Sequence, residues 1–377
     1  MAAESKTSLI VLPKVKDGIN NKGVYTFTIE DANVSVVNAV RRTILTDIPT
    51  VVFDTTKENV EFSVNTCKLH NEILKQRLGC IPVHIKDIEG IDDLVIECEV
   101  NNDTDSLVYV TTKHFQILNK NTNKYLTQEQ VDKIFPPDDL TKDYILFTRL
   151  RPKISNDIPG EMIKFKTKFK VGTAKQDGMY NVVSTCSYGF TPDKVEQHNQ
   201  WQEISQKLEE NNITATKIEQ ERKNWYTLQA KRIYIPNSFD FKVESIGVFT
   251  NRELVHLACD NIIKRLNVIS TKSDNQSIEL KRNTTSMINS TDIILPNEDY
   301  TIGKVLEYIL HMEYYKKVNL LSYVGFIKKH PHDDFSIIRI SGFSDELDLT
   351  NDTNIYRILT FACNASVKLF DSIKESF

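Results

Sequence analysis

Ser35–Ile44 reads SVVNAVRRTI, and 266 positions later Thr301–Leu310 reads TIGKVLEYIL. Laid over each other, the two stretches put Val36, Val40 and Ile44 on Ile302, Leu306 and Leu310, the spacing of one apolar helix face. A second pair repeats the correspondence at an offset of 104. There LVHLACDNIIKRLNVI (254–269) lies over ILTFACNASVKLFDSI (358–373), with Ala258-Cys259 on Ala362-Cys363 and Ile269 on Ile373. Any two amphipathic helices align at their apolar positions, so one pair alone decides little. Two pairs in the same order, with offsets differing by 162, ask for a single explanation. That difference is about the length of a strand-rich block inside the first copy. The chain therefore reads as two strand–helix–strand–helix units, the first split by an insertion.

Working outward, GVYTFTIE alternates, with Tyr25, Phe27 and Ile29 on one face and Thr26 and Thr28 on the other. SLIVLPKVK reads as a preceding strand, with a turn over Asp17-Gly18 and Asn20-Asn21. The helix through Arg41 and Arg42 is capped by Asp31 or Asn33 and stops before Pro49. FDFKVE alternates through Phe239, Phe241 and Val243 before a helix carrying Leu254, Ala258, Ile262, Leu266 and Ile269. STKSDNQ (270–276) is a polar break that links the two copies, and the later helix continues the pattern with Ala362 and Phe370. Between the halves of the first copy, short runs such as VEFSVN, DLVIECEV, YILFTRL and MIKFKTKFKV alternate with polar loops. CKLHNEILKQRL is a helix closed by Gly79, and Lys194 to Gln229 is polar and helix-forming. The expected fold is α+β, with two units, each an antiparallel sheet carrying two helices, packed with pseudo-two-fold symmetry. The expected boundaries are 1–54 with 231–272 for the first unit, 55–230 for the insert and 273–377 for the second unit.

Composition narrows the function classes. The 377 residues carry a net charge of −4, which argues against a broad basic face for gripping nucleic acid. Apolar runs fall short of the ~18 residues of a membrane span, and MAAESKTSLIVL lacks the pattern of a secretory signal. The expected location is intracellular. The six cysteines (Cys67, Cys80, Cys98, Cys186, Cys259, Cys363) have no two closer than 13 positions, so they read as small buried hydrophobes rather than metal ligands. His330, His332, Asp333 and Asp334 fall in a proline-containing turn, and Asp103-Thr104-Asp105 in a loop of turn composition. No glycine-rich phosphate loop, HExxH or GxSxG occurs.

At this point the residues resemble a family. NAVRRTILTDIPTVVFD (38–54) followed by HNEILKQRLGCIPV (70–83) is similar to the alpha-type assembly subunits of DNA-dependent RNA polymerases. These comprise the bacterial alpha N-terminal domain, archaeal D and the third-largest subunit of eukaryotic polymerase II. VGTAKQDGMYNVVSTCSYGFTP (171–192) resembles the family's later signature, and FDFKVESIGVFTNRELVHLACDNIIKRL (239–266) its closing strand and helix. NEDYTIGKVLEYIL (297–310) with YVGFIKKHPHDDFSIIRISG (323–342) resembles the small partner, the eleventh subunit or archaeal L. Two departures stand out. IKDIEGIDDLVIECEV (85–100) offers only Cys98 where the eukaryotic subunit has a zinc-binding cysteine loop, and no archaeal-type iron–sulfur set is present. A bacterial-style C-terminal DNA-binding module is likewise not expected.

The resemblance implies a non-catalytic scaffold in which both alpha-like halves share one chain, as in large cytoplasmic DNA viruses. The Asn-, Lys- and Ile-heavy usage suits such a source, with virion, host cytoplasm or host nucleus as location. It implies docking of the two largest polymerase subunits, contacts with small accessory subunits, and DNA reached only through the complex. No cofactor is expected on this chain, and the magnesium of the complex is expected in its largest subunit. By the same resemblance the subunit interface includes Asn38, Arg41 and Arg42, with His70, Glu72, Arg77 and Gly79 as a second surface. Guanidinium forks suit bidentate pairing with a partner's carboxylates. A solvated helix face and a helix packed on its own sheet are the plainer readings of the two surfaces. Two alternatives stay open: a stand-alone interaction scaffold, and an enzyme using Asp103 and Asp105.

Overall fold

The computed structural model describes residues 9–56, 59–155, 158–283, 287, 289–343, 349 and 351–377. Strand β1 (Lys14–Asn21) turns into β2 (Val24–Glu30) through Lys22 and Gly23, both at positive φ, 51° and 88°. That is the backbone a two-residue antiparallel hairpin needs. The turn therefore lies beyond the expected one. Asp17-Gly18 is instead absorbed within β1 as a register shift between Lys16 and Ile19, where a side chain on Gly18 would collide with the carbonyl of Thr26. Helix α1 (Val34–Thr46) follows, with Val36, Val40 and Ile44 buried.

Leu45–Ser184 with Ser245–Leu254 forms one compact unit. Its elements are β3 (Thr50–Phe53), β4 (Glu61–Asn65), α2 (Asn71–Gly79), β5 (Leu94–Asn101), β6 (Val108–Thr111) and β7 (Gln116–Asn119). These lead to β8 (Lys124–Tyr125), α3 (Gln128–Ile134), β9 (Leu146–Leu150) and β10 (Met162–Gly172). The sheet runs β3-β10-β5-β7-β8, with β4 also on β10, and β6 pairs β9 separately. An inserted unit needs an interior of its own, and here aromatic rings supply it. Phe53, Phe115, Phe135, Phe147, Phe165 and Phe169 are buried, with ring centroids of neighbouring pairs 5.2–6.0 Å apart.

The second compact unit gathers Met1–Ile44, Thr185–Glu244 and Val255–Phe377. Beyond β1, β2 and α1 it holds most of β11 (Val183–Pro192), then α4 (Lys194–Glu210), α5 (Ala215–Thr227), β12 (Tyr234–Ser245) and α6 (Asn251–Asp274). The chain continues through β13 (Leu280–Asn283), β14 (Ser290–Pro296), α7 (Tyr300–Leu310), a π-helical turn (His311–Lys317), β15 (Leu321–Ile327), β16 (Phe335–Gly342) and α8 (Asp352–Lys374). One sheet is ordered β1-β2-β12-β11 and the other β13-β14-β16-β15. The two orders are the same. The likeness extends to single residues at the 266-residue offset. Asp31 and Asn297 both adopt left-handed φ, 57° and 59°. Asn33 and Asp299 both accept the N–H two residues on, each at 2.9 Å, and so begin α1 and α7 alike.

Ala258, Ile262, Ile302, Leu306, Leu310, Ala362 and Phe370 are fully buried, as is Leu254. Helices α6 and α8 run antiparallel: Lys374 meets Asp260 at 2.5 Å, Thr360 meets Asp274 at 2.8 Å, and Ser273 Oγ donates to the Tyr356 carbonyl at 2.9 Å. Those last contacts correct the expected linker. STKSD is the final turn of α6, its polar groups held by α8, and only residues 275–279 connect the copies. The compact division also differs from the expected boundaries. It starts the insert at Leu45, ends its main stretch at Ser184, and leaves α4 and α5 with the duplicated unit. The cause is β11, which is hydrogen-bonded beside β12 as the counterpart of β15.

Candidate subunit interface

The candidate residues of α1 lie in the duplicated unit and part into two environments. Asn38 and Arg41 are half-buried and bonded to each other, Arg41 Nε donating to Asn38 Oδ1 at 3.0 Å. Among the described residues Arg41 has no carboxylate partner. Its charge opposes the effect of burial on Cys186, yet burial dominates and the thiol is pushed up to about 12.

Arg42 is engaged within the chain. Its Nε donates to Thr301 Oγ1 at 2.9 Å, and its Nη2 meets Asp299 Oδ2 at 3.1 Å. Arg265, on α6, approaches from another side, with Nη2 2.5 Å from Glu298 and 4.0 Å from Asp299. Four charges thus meet where α7 begins. Burial pushes the Asp299 carboxyl up, but hydrogen bonds from Thr301 and the guanidinium groups of Arg42 and Arg265 outweigh it and hold the carboxyl below the usual range. The family pattern drew attention to Arg42 alone. Asp299, Thr301, Arg265 and Glu298 were missed, although an Asp two residues ahead of a helix's first buried Thr is a cap signal.

The second surface belongs to the insert. His70 and Glu72 are exposed at the start of α2, and His70 makes no capping hydrogen bond there. Arg77 turns inward instead. Its Nε and Nη2 donate to the carbonyls of Phe147 and Leu146 at 2.7 and 2.8 Å, tying α2 to β9. Gly79 is buried and sits inside the last turn, and Cys80 after it stays right-handed at φ −90°. The glycine is thus not a left-handed cap. It lines an open groove of about 570 Å³ together with Cys80, Pro82, Met179, Asn181 and Val248. A methyl group at Gly79 would rest in ordinary contact with Met179 and Thr55.

The other polar clusters stay local. Asp103 accepts from Asn101 in its own turn, and the His330 N–H is held by Asp333. Among the described residues no group of three His, Cys, Asp or Glu side chains is placed to hold a metal. No helix among them is long and apolar enough to cross a membrane.

A duplicated sheet with paired helices, half-exposed arginine on α1 and a grooved insert define an alpha-like class of dimerisation fold. The comparisons give it a family: residues 26–266 match the RNA polymerase Rpb3/Rpb11 dimerisation domain, and the chain belongs to that family. It is 23% identical over 299 residues to the DNA-directed RNA polymerase subunit Rpo3 of Pyrococcus horikoshii, covering 72% of this chain and 97% of that one. A conjugation stage-specific protein of Tetrahymena thermophila is 26% identical over 208 residues, which is 51% of this chain and 64% of that protein's length. The DNA-directed RNA polymerase II subunit RPB3 of Schizosaccharomyces pombe is 34% identical over 85 residues, covering 22% of this chain and 27% of that one.

Proposed function

We propose that this chain is a non-catalytic assembly subunit of a multisubunit DNA-dependent RNA polymerase and that it carries both alpha-like halves itself. The observation that carries the reading is the repeated strand order, β1-β2-β12-β11 and β13-β14-β16-β15, within one compact unit. Family membership through residues 26–266 supports the polymerase assignment for the first half and the insert. The second half, from Leu280 to Lys374, supplies the same fold a second time, so the pairing such subunits need is built into one polypeptide. Fusion makes that association independent of expression level and fixes the stoichiometry of the halves.

On this reading the two largest subunits dock on the platform and small accessory subunits bind around it. Asn38 and Arg41 form one docking surface, and His70 and Glu72 with the Gly79 groove form another. Arg41 is the stronger candidate of the arginine pair, because Arg42 already holds Asp299. The amino-acid usage keeps a large DNA virus as the favoured source.

Co-expression with the two largest polymerase subunits of the same source tests the reading. The wild-type chain is expected to co-purify with both. Arg41→Glu is expected to lower recovery of the second-largest subunit about tenfold while leaving the melting temperature unchanged, the signature of a surface rather than a core residue. A wild-type chain that binds neither large subunit removes the reading.

A further inference from the structure

We infer that the charge cluster Arg42–Asp299–Arg265–Glu298 decides which surfaces of this chain pair, admitting the first half against the second and rejecting like against like. This does not depend on the polymerase reading, and its test contains no polymerase subunit.

The apolar stripes cannot make that choice. Val36, Val40 and Ile44 are the same kind of surface as Ile302, Leu306 and Leu310, and all six are buried. Burial of such stripes is non-directional, so it favours first-on-first, second-on-second and first-on-second pairing alike. Something else must separate the three.

The repeat itself shows what does. At the 266-residue offset Arg42 corresponds to Tyr308, Glu298 to Ala32 and Asp299 to Asn33. At the 104-residue offset Arg265 corresponds to Leu369. Both cations therefore belong to the first half and both carboxylates to the second, and none has a charged residue at its symmetric position. In a first-on-first pairing, Arg42 would face Asn33 and Ser35, and Arg265 would face Ala32. The two guanidinium groups of each copy would then face neutral residues where carboxylates stand in the observed pairing. In a second-on-second pairing, Glu298 and Asp299 would face Leu369 and Tyr308. Water offers little relief to Arg265 and Glu298, whose side chains are only 19% and 12% exposed, and more to Arg42 and Asp299 at 38% and 24%. A pair that adds little to stability can still impose a large penalty on every arrangement that separates its members. Specificity then arises from the pairings that are disfavoured.

The full chain serves for the test. Arg42→Glu with Arg265→Glu makes the junction anionic on both sides. This double variant is expected to leave the wild-type mass for larger, concentration-dependent species in light scattering, and to melt about 5 °C or more lower. Adding Glu298→Arg and Asp299→Asn sets a cation opposite the new carboxylates and keeps a side chain that can cap α7, as Asn33 caps α1. That fourfold variant is expected to return to the wild-type mass and to recover at least half of the lost melting temperature. A double variant with wild-type mass and melting temperature overturns the inference. A fourfold variant as self-associated as the double one also overturns it, since packing around the guanidinium groups would then decide. If the double variant does not fold, the fourfold variant decides alone: wild-type mass supports the inference, and aggregation defeats it.

Discussion

The two halves of the duplicated unit share a strand order and differ in what lies between their first helix and third strand. In the second half α7 ends at Leu310, passes through the π-helical turn His311–Lys317 and reaches β15 at Leu321. The turn is anchored by Glu313, buried and 2.9 Å from Lys317. In the first half α1 ends at Thr46 and β11 starts at Val183, with the whole insert in between. The sheets are unaffected, since β2 pairs β12 and β14 pairs β16 in the same manner. The lesson is that this connection sits outside the cooperative core, where added length costs only logarithmically in closure entropy.

The halves can be set against each other by mutation. The largest difference is expected at the aligned core positions Phe370 and Leu266, both fully buried. Phe370→Ala should cost about 3–5 kcal/mol and Leu266→Ala about 2–5 kcal/mol in denaturant unfolding. A Leu266→Ala loss well above the Phe370→Ala loss would show that the first half carries the unit. A smaller effect is expected at Gly303, which aligns with buried Val37. A Cβ there would run into the Phe326 ring, so the second half fills with an aromatic from the sheet what the first fills from the helix. Gly303→Ala gains about 1 kcal/mol of helix propensity but overpacks by about 1–3 kcal/mol, for a net loss that Phe326→Leu should reverse. Absence of that rescue in a double-mutant cycle would mean the helix shifts to make room.

The smallest effect concerns acid. Asp299 is held below the usual carboxylate range, so its contribution is present above the unfolded value of about 3.9 and is lost as pH falls through the depressed folded value. Asn33, its counterpart, does not titrate. Asp299→Asn should therefore lower stability at neutral pH and flatten its fall below about pH 4, as read from urea midpoints between about pH 2 and 7. An unchanged acid limb would show that other carboxylates set it.

The duplication was legible because periodicity records which helix face is buried, and the residues at 36, 40, 44, 302, 306 and 310 all lie inside. The end of α6 was not legible. Ser273 and Asp274 look like linker until Tyr356 and Thr360, more than 80 positions later, take up their polar groups. The same holds for Arg42 and Arg77. A guanidinium reads as surface in sequence, and only the fold brings Asp299 to one and the Phe147 carbonyl to the other. The expected edge of the insert differs from the compact division for a related reason, since strand composition does not say which sheet β11 joins.

Phe27 lies opposite Phe241 across β2 and β12, yet about 200 residues separate them along the chain, whereas β13 to β16 span about 60. At ribosomal speeds of ~5–20 residues per second, β2 waits roughly 10–40 s for its neighbour. During that delay the insert can complete its own interior before the first sheet closes. The second sheet then assembles within seconds onto a formed template. Birth order along the polypeptide thus schedules the clasp last, when both of its faces exist.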